Sequence, residues 1–162
     1  MSLLRTWQYR VSRATGKAIT HLVAALTLYR MPPFVATSAL VVRGTEVLVV
    51  IDPIRNEPIL PGGHLRWKES PEEALTREVR EETGYEVWPA EVVGVFSGIR
   101  STGDPGVVRV VYEAAVVGGE LASSPEGEAT WIDAESLSRG ETRDAPIVRL
   151  WLSSKRRTAS GA

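Results

Sequence analysis

An α/β sandwich is the fold class this chain predicts, from three features of its 162 residues. Val- and Ile-rich runs at 34–42, 47–51 and 107–117 read as strands. A helix with both ends marked stands among them at 70–84. The length suits one domain with a real core and is too short for two. Strands with helices around them bury apolar faces by layering, but the pattern leaves the topology open.

Residues 7–29 place Trp7, Val11, Ala14, Ala18, Leu22, Ala25 and Tyr29 at spacings of three and four, the period of one helix face. An amphipathic helical extension over 1–31 is therefore expected, with Gly16 costing about 1 kcal/mol of propensity. Its apolar face has three possible uses: packing on its own domain, pairing in a homodimer, or lying weakly on an anionic membrane surface. His21 on this segment reads as structural. The apolar stretch 19–31 is interrupted by Thr20, His21, Thr27 and Arg30, is too short to span a bilayer, and lacks the pattern of a secretion signal.

Pro32 and Pro33 stop the helix, so the main domain is expected over 32–152. Arg43-Gly44-Thr45-Glu46 reads as a hairpin turn between the first two strands, and 52–58 as a polar loop. Ser70 as N-cap, Pro71 at the first helical position and Glu73 three residues after the cap form a capping-box signature, while Thr83-Gly84 marks the stop. Beyond it, Val87 to Phe96 is extended but broken by Pro89, 107–117 is a longer strand, 130–132 a short one with Trp131 turned to the core, and 145–152 a terminal helix. The basic segment 153–162 reads as a flexible tail.

The charge balance of 19 Lys plus Arg against 20 Asp plus Glu, a net of -1, provides no global attraction for nucleic acid. With no cysteine there is no disulfide, thiolate nucleophile or Cys-type zinc site, which is compatible with a cytoplasmic enzyme. Basic residues load both ends of the chain and acids dominate 69–86, a distribution suited to a phosphate substrate carried with a divalent metal.

On the helix at 70–84, Glu78, Glu81 and Glu82 cluster, because they are i,i+3 and i,i+4 neighbours. Like charges so placed repel, and a hard divalent cation among their oxygens resolves the conflict; beside phosphate, magnesium is the expected ion. Glu69 reaches the same centre if the Gly62-Gly63 loop folds back. The glycines allow a carbonyl to face metal or amides to face phosphate. Arg77 is placed to hold a carboxylate by a bidentate pair.

Gly63, five residues, Glu69, seven residues, Arg77-Glu78-Val79, one residue, Glu81-Glu82, one residue, Gly84-Tyr85: this series resembles the complete Nudix box, with Tyr85 in place of the usual final aliphatic residue. The flanking strands are similar to the same domain. The resemblance implies an α/β/α sandwich around a mixed sheet. It also implies metal ligation by Glu78 and Glu82, help from Glu81, support from Glu69, a Gly63 carbonyl on the metal, and Arg77 orienting Glu78. The expected cofactor is Mg2+, with Mn2+ as a substitute.

The chemistry that follows is hydrolysis of a pyrophosphate linkage in a small nucleotide-like molecule. Metal neutralises the phosphate oxygens and acidifies a water, while a carboxylate takes the proton. Glu81 or Glu82 serves as that base through metal, or a loop acid does so from the other side of the cleft: Glu128, preferred to Glu126 for its nearness to the strand at Thr130. His64, Trp67, Arg100 and Arg109 are the expected substrate contacts, Trp67 by stacking on a base. The stretch from Leu60 to Leu65 looks like that of enzymes acting on nucleoside triphosphates. The proline that marks ADP-ribose hydrolases beyond the box is absent, Ser101 occupying that region. Alternatives are ADP-ribose or a nucleotide sugar as substrate, or a non-catalytic binding module of the same fold.

Overall fold

A computed structural model of the chain describes residues 33–97 and 106–160. The extension at 1–31, His21, and the loop residue Arg100 lie outside the described residues.

The hairpin forms as its turn residues require. Strand β1 (Phe34–Arg43) and strand β2 (Glu46–Asp52) are joined through Gly44 and Thr45, with Arg43 opposite Glu46 and Gly44 at φ 62°. That angle lies in the left-handed region that glycine adopts without a Cβ penalty. Two further strands come from the segment read as a polar loop and its continuation. Strand β3 (Glu57–Ile59) pairs antiparallel with β2, and strand β4 (Gly62–His64) pairs antiparallel with the first half of β1. Three residues each are too few to carry an alternation pattern.

Helix α1 (Pro71–Thr83) has the cap its sequence predicts. The Glu73 amide donates to Ser70 Oγ at 3.2 Å, the Ser70 amide donates to Glu73 Oε2 at 2.8 Å, and Gly84 ends the helix at φ 75° with its amide on the Arg80 carbonyl at 3.1 Å. Strand β5 (Tyr85–Ser97) follows at once, and strand β6 (Val107–Gly119) runs antiparallel to it. Pro89 does not break β5 as the sequence predicts. The strand lies at the sheet edge, where a missing backbone donor is tolerated, and register shifts between Pro89 and Val92 and between Val92 and Gly94 absorb the irregularity.

Strand β7 (Glu128–Asp133) pairs with β2 and leads into helix α2 (Ala134–Arg139), whose N-cap Asp133 accepts from the Ser136 amide at 2.8 Å. Helix α3 (Ala145–Ser160) completes the domain. It continues past Leu152 through most of the segment read as a flexible tail, because that segment is tied down: Lys155 pairs with Glu113 at 2.9 Å and Arg156 with Glu135.

The sheet runs β3-β2-β1-β6-β5, with β4 on β1 and β7 on β2. Among the described residues only β1 and β6 are parallel, from Phe34 beside Val107 to Val41 beside Ala114, so the sheet is mixed. Strand alternation divides the core between two faces. Ala39, Val41, Leu48, Tyr112 and Ala114 meet Leu75 and Val79 of α1, while Leu40, Val47, Val49 and Val111 meet Leu137, Ile147, Val148 and Trp151 of α2 and α3. Each fully buried side chain of this size stabilises by about 1.5–3 kcal/mol. The result is the α/β/α sandwich that the resemblance implies.

Candidate active site

Leu75 and Val79 fix the rotation of α1 by burying its apolar stripe, which directs Glu78 and Glu82 toward the Gly62-Gly63 strand and the loop ahead of β7, and Arg77 and Glu81 toward the segment 64–69. Gly62, at φ 153°, approaches β1 so closely that a Cβ there would lie 2.1 Å from the Thr37 carbonyl oxygen. A Cβ on Gly63 would lie 2.4 Å from Glu78 Oε1. The glycine pair is thus needed for close backbone approach on both sides.

Arg77 is the hub of the site. Its Nε and Nη2 donate to the two oxygens of Glu69 at 2.7 and 2.8 Å, its Nη1 lies 2.6 Å from Glu78 Oε1 and 3.4 Å from Glu81 Oε2, and Nη2 reaches the His64 carbonyl at 3.2 Å. The Arg77 fork holds the Glu69 carboxyl down at about 2, with help from the Arg66 amide. Glu69 therefore has both oxygens engaged by protein donors and braces Arg77. Glu81 is more exposed and also meets Arg66 at 3.3 Å.

Glu82 is 6% exposed and accepts from the Gly62 amide at 2.9 Å. Burial pushes its carboxyl well above the ordinary carboxylate range; the Gly62 bond opposes this, and the nearby charges of Glu126 and Glu78 add to the rise. Burial also raises Glu78, against the pull of Arg77, with Glu126 and Glu81 contributing. The third acid beside these two is thus Glu126. Its loop is held by the bridge between Ser124 and Gly127, by its own amide on Ser124 Oγ at 3.1 Å, and by Gly127, where a Cβ would meet the Ile51 carbonyl oxygen at 2.4 Å.

Glu128, preferred from sequence, is on the opposite face. It stands opposite Ile51, in the row of β7 residues that includes Ile132, and that row packs on the α2 and α3 side; Trp131 and Leu48 face α1 instead. Arg109 is likewise not an open phosphate contact. It is 5% exposed, and its Nη2 donates to Asp144 Oδ1 at 2.6 Å. His64 is exposed with its ring edge-on to Phe34 at 6.4 Å, and Trp67 is 92% exposed at the loop tip, a position open to stacking.

Among the described residues no three acidic or histidine side chains are already disposed as a metal-ligand set. Glu78 is turned to Arg77 and Glu82 to Gly62. The donor chemistry nevertheless fits a hard divalent cation: Glu78 and Glu82 lie beside the Gly62-Gly63 strand, the exposed Glu126 is near enough to act on both, and burial and like charge push the first two toward the protonated state, a conflict that a cation relieves.

The NUDIX domain family model matches residues 32–151. A protein of Methanocaldococcus jannaschii named ADP-ribose pyrophosphatase is 30% identical over 111 residues, covering 66% of each chain, and a MutT-like protein of Streptomyces ambofaciens is 36% identical over 80 residues, covering 49% of each. The chain thus spans a little under two thirds of the first relative and about half of the second. Among solved structures, the MutT protein from Methanosarcina mazei Go1 superposes with a TM-score of 0.63 at 26% identity, covering 80% of this chain and 97% of that one. An ADP-ribose pyrophosphatase from Streptococcus suis superposes with a TM-score of 0.64 at 24% identity, covering 76% of this chain and 92% of that one. The mixed-sheet sandwich with a glycine strand facing an acidic helix is a Nudix fold, and the chain belongs to the Nudix family.

Proposed function

We propose that this chain is a divalent-metal-dependent pyrophosphohydrolase acting on a nucleotide derivative. The observation that carries the reading is the convergence of Glu78 and Glu82 with Glu126 beside the Gly62-Gly63 strand, under the control of Arg77. Glu78, Glu82 and the Gly63 backbone are the groups that would hold Mg2+ or Mn2+, and Glu126 faces them from the β7 side. When bound, the cation supplies charge neutralisation at the phosphate oxygens and a lowered pKa for a coordinated water. Arg77 holds Glu78 and Glu69 together and so fixes the direction of Glu78. Glu126, in the loop locked by Gly127, is the group placed to accept a proton from water on that side.

The substrate panel begins with nucleoside triphosphates, which the Leu60 to Leu65 stretch favours, and ADP-ribose, which the name of the Methanocaldococcus relative favours. Nucleotide sugars and dinucleoside polyphosphates complete it. Product masses in Mg2+, with Glu82→Gln as control, test the proposal. Turnover in metal that falls by about 10²–10³-fold in the control supports it, the scale of losing one preorganised active-site group. Binding without turnover supports instead a non-catalytic module of the same fold.

A further inference from the structure

We infer that Asp144, at the start of α3, is a positioning residue for the Gly62-Gly63 strand; the inference deepens the proposed hydrolase reading and rests on it for its catalytic arm. Asp144 is fully buried, and both of its carboxylate oxygens are engaged. Oδ1 accepts from Arg109 at 2.6 Å and Oδ2 accepts from the Leu60 amide at 2.7 Å, across 84 residues of sequence. Its carbonyl also accepts from the amides of Ile147 and Val148 at 3.0 and 3.1 Å, which begin the helix.

Leu60 is the first of four consecutive residues that are each anchored separately. Pro61 accepts the Ala39 amide at 2.9 Å, Gly62 donates to Glu82 at 2.9 Å, and Gly63 lies in register with Thr37 and against Glu78. Pro61 has a fixed φ, which removes one of the soft dihedrals between Leu60 and Gly62 and so couples their positions. The Arg109 charge makes the buried carboxylate tolerable, and the carboxylate in turn sets where the strand meets α1. Helix α3 thereby governs the site without contacting the box glutamates.

Two paired substitutions separate positioning from bulk stability. Asp144→Leu with Arg109→Met replaces the buried ion pair by apolar groups of similar size and leaves the buried Leu60 amide without its acceptor. Asp144→Asn with Arg109→Met removes the same charges but keeps an oxygen for Leu60. In the Leu pair, kcat on the substrate identified by the panel is expected to fall by about 10–100-fold with KM within about twofold, and the Leu60 and Gly62 amides to exchange at least about tenfold faster. The Asn pair restores both to within about threefold of the parent. Unchanged kcat and unchanged Gly62 exchange in a folded Leu pair overturn the inference, as does a rise in KM alone, which marks substrate contact. If the Leu pair does not fold, exchange in the parent protein decides: Leu60, Gly62 and Ile147 amides opening as one unit support the coupling, and independent opening overturns it. Should the parent have no turnover, the hydrolase reading fails while the exchange result still decides the positioning role.

Discussion

A methyl group on Gly63 would stand 2.4 Å from Oε1 of Glu78, closer than any real Cβ contact. An added methyl therefore displaces the Glu78 carboxylate from the place it holds beside the backbone. Gly63→Ala is expected to keep the fold, since Gly63 is absent from the positive-φ residues, and to lower turnover by about 10²-fold, the usual consequence of an ångström-scale displacement at a reacting centre. Steady-state kinetics with circular dichroism as the folding control checks this.

Arg77→Lys retains charge but loses the planar fork that grips both oxygens of Glu69. The Glu69 carboxyl, now held at about 2, is expected to return toward the ordinary glutamate range. Carbon-13 NMR titration of the Glu69 side chain reads the shift directly. Because that carboxyl is depressed in the folded state, its stabilising contribution is present above the ordinary glutamate value and is lost as pH falls through about 2. The variant is expected to lose this acid-side dependence.

Glu126→Gln and Glu128→Gln distinguish the two faces of β7. Turnover is expected to fall by about 10²-fold or more in the first, the scale of a lost general base, and to stay within about twofold in the second. The reverse result would return the base to the residue preferred from sequence.

Tyr112 donates to Glu72 at 2.7 Å, linking β6 to the first turn of α1. Burial and then the Glu72 carboxylate push the phenol up to about 12. A raised folded-state pKa means the folded protein holds the proton more tightly; that stabilisation is complete below the unfolded value of about 10 and disappears as pH rises through about 12. Absorbance titration is expected to show one late tyrosine step that Tyr112→Phe removes, with a loss of about 1 kcal/mol at neutral pH for the missing hydrogen bond.

The parts of the fold that local chemistry specifies were legible in the sequence: the Ser70 and Glu73 cap and the Gly44 turn both depend on near neighbours, whereas Glu81, expected to group with Glu78 and Glu82, turns to Arg66 and Arg77. What escaped depends on distant partners. Both faces of the sheet are covered, so alternation along β7 separates Glu128 from Trp131 without telling which one faces α1. Arg109 resembles a surface contact until Asp144, 35 residues away, is brought beside it. Glu126 had a usable signal in the Ser123-Ser124-Pro125-Glu126-Gly127 turn, and α2 had one in Asp133 as N-cap. The two three-residue strands had none.

The parallel pairing of β1 with β6 joins segments made far apart in time during synthesis. The whole of α1 lies in the interval between Phe34 and Val107, and Leu60 waits for Asp144 still later in the chain. A nascent chain emerging from the ribosome therefore presents every box glutamate before it holds β6 or Asp144, and non-local closure of this kind is intrinsically slow. A chain ending before Val107 carries the whole motif but lacks both the β6 partner of β1 and the Asp144 acceptor of the Leu60 amide.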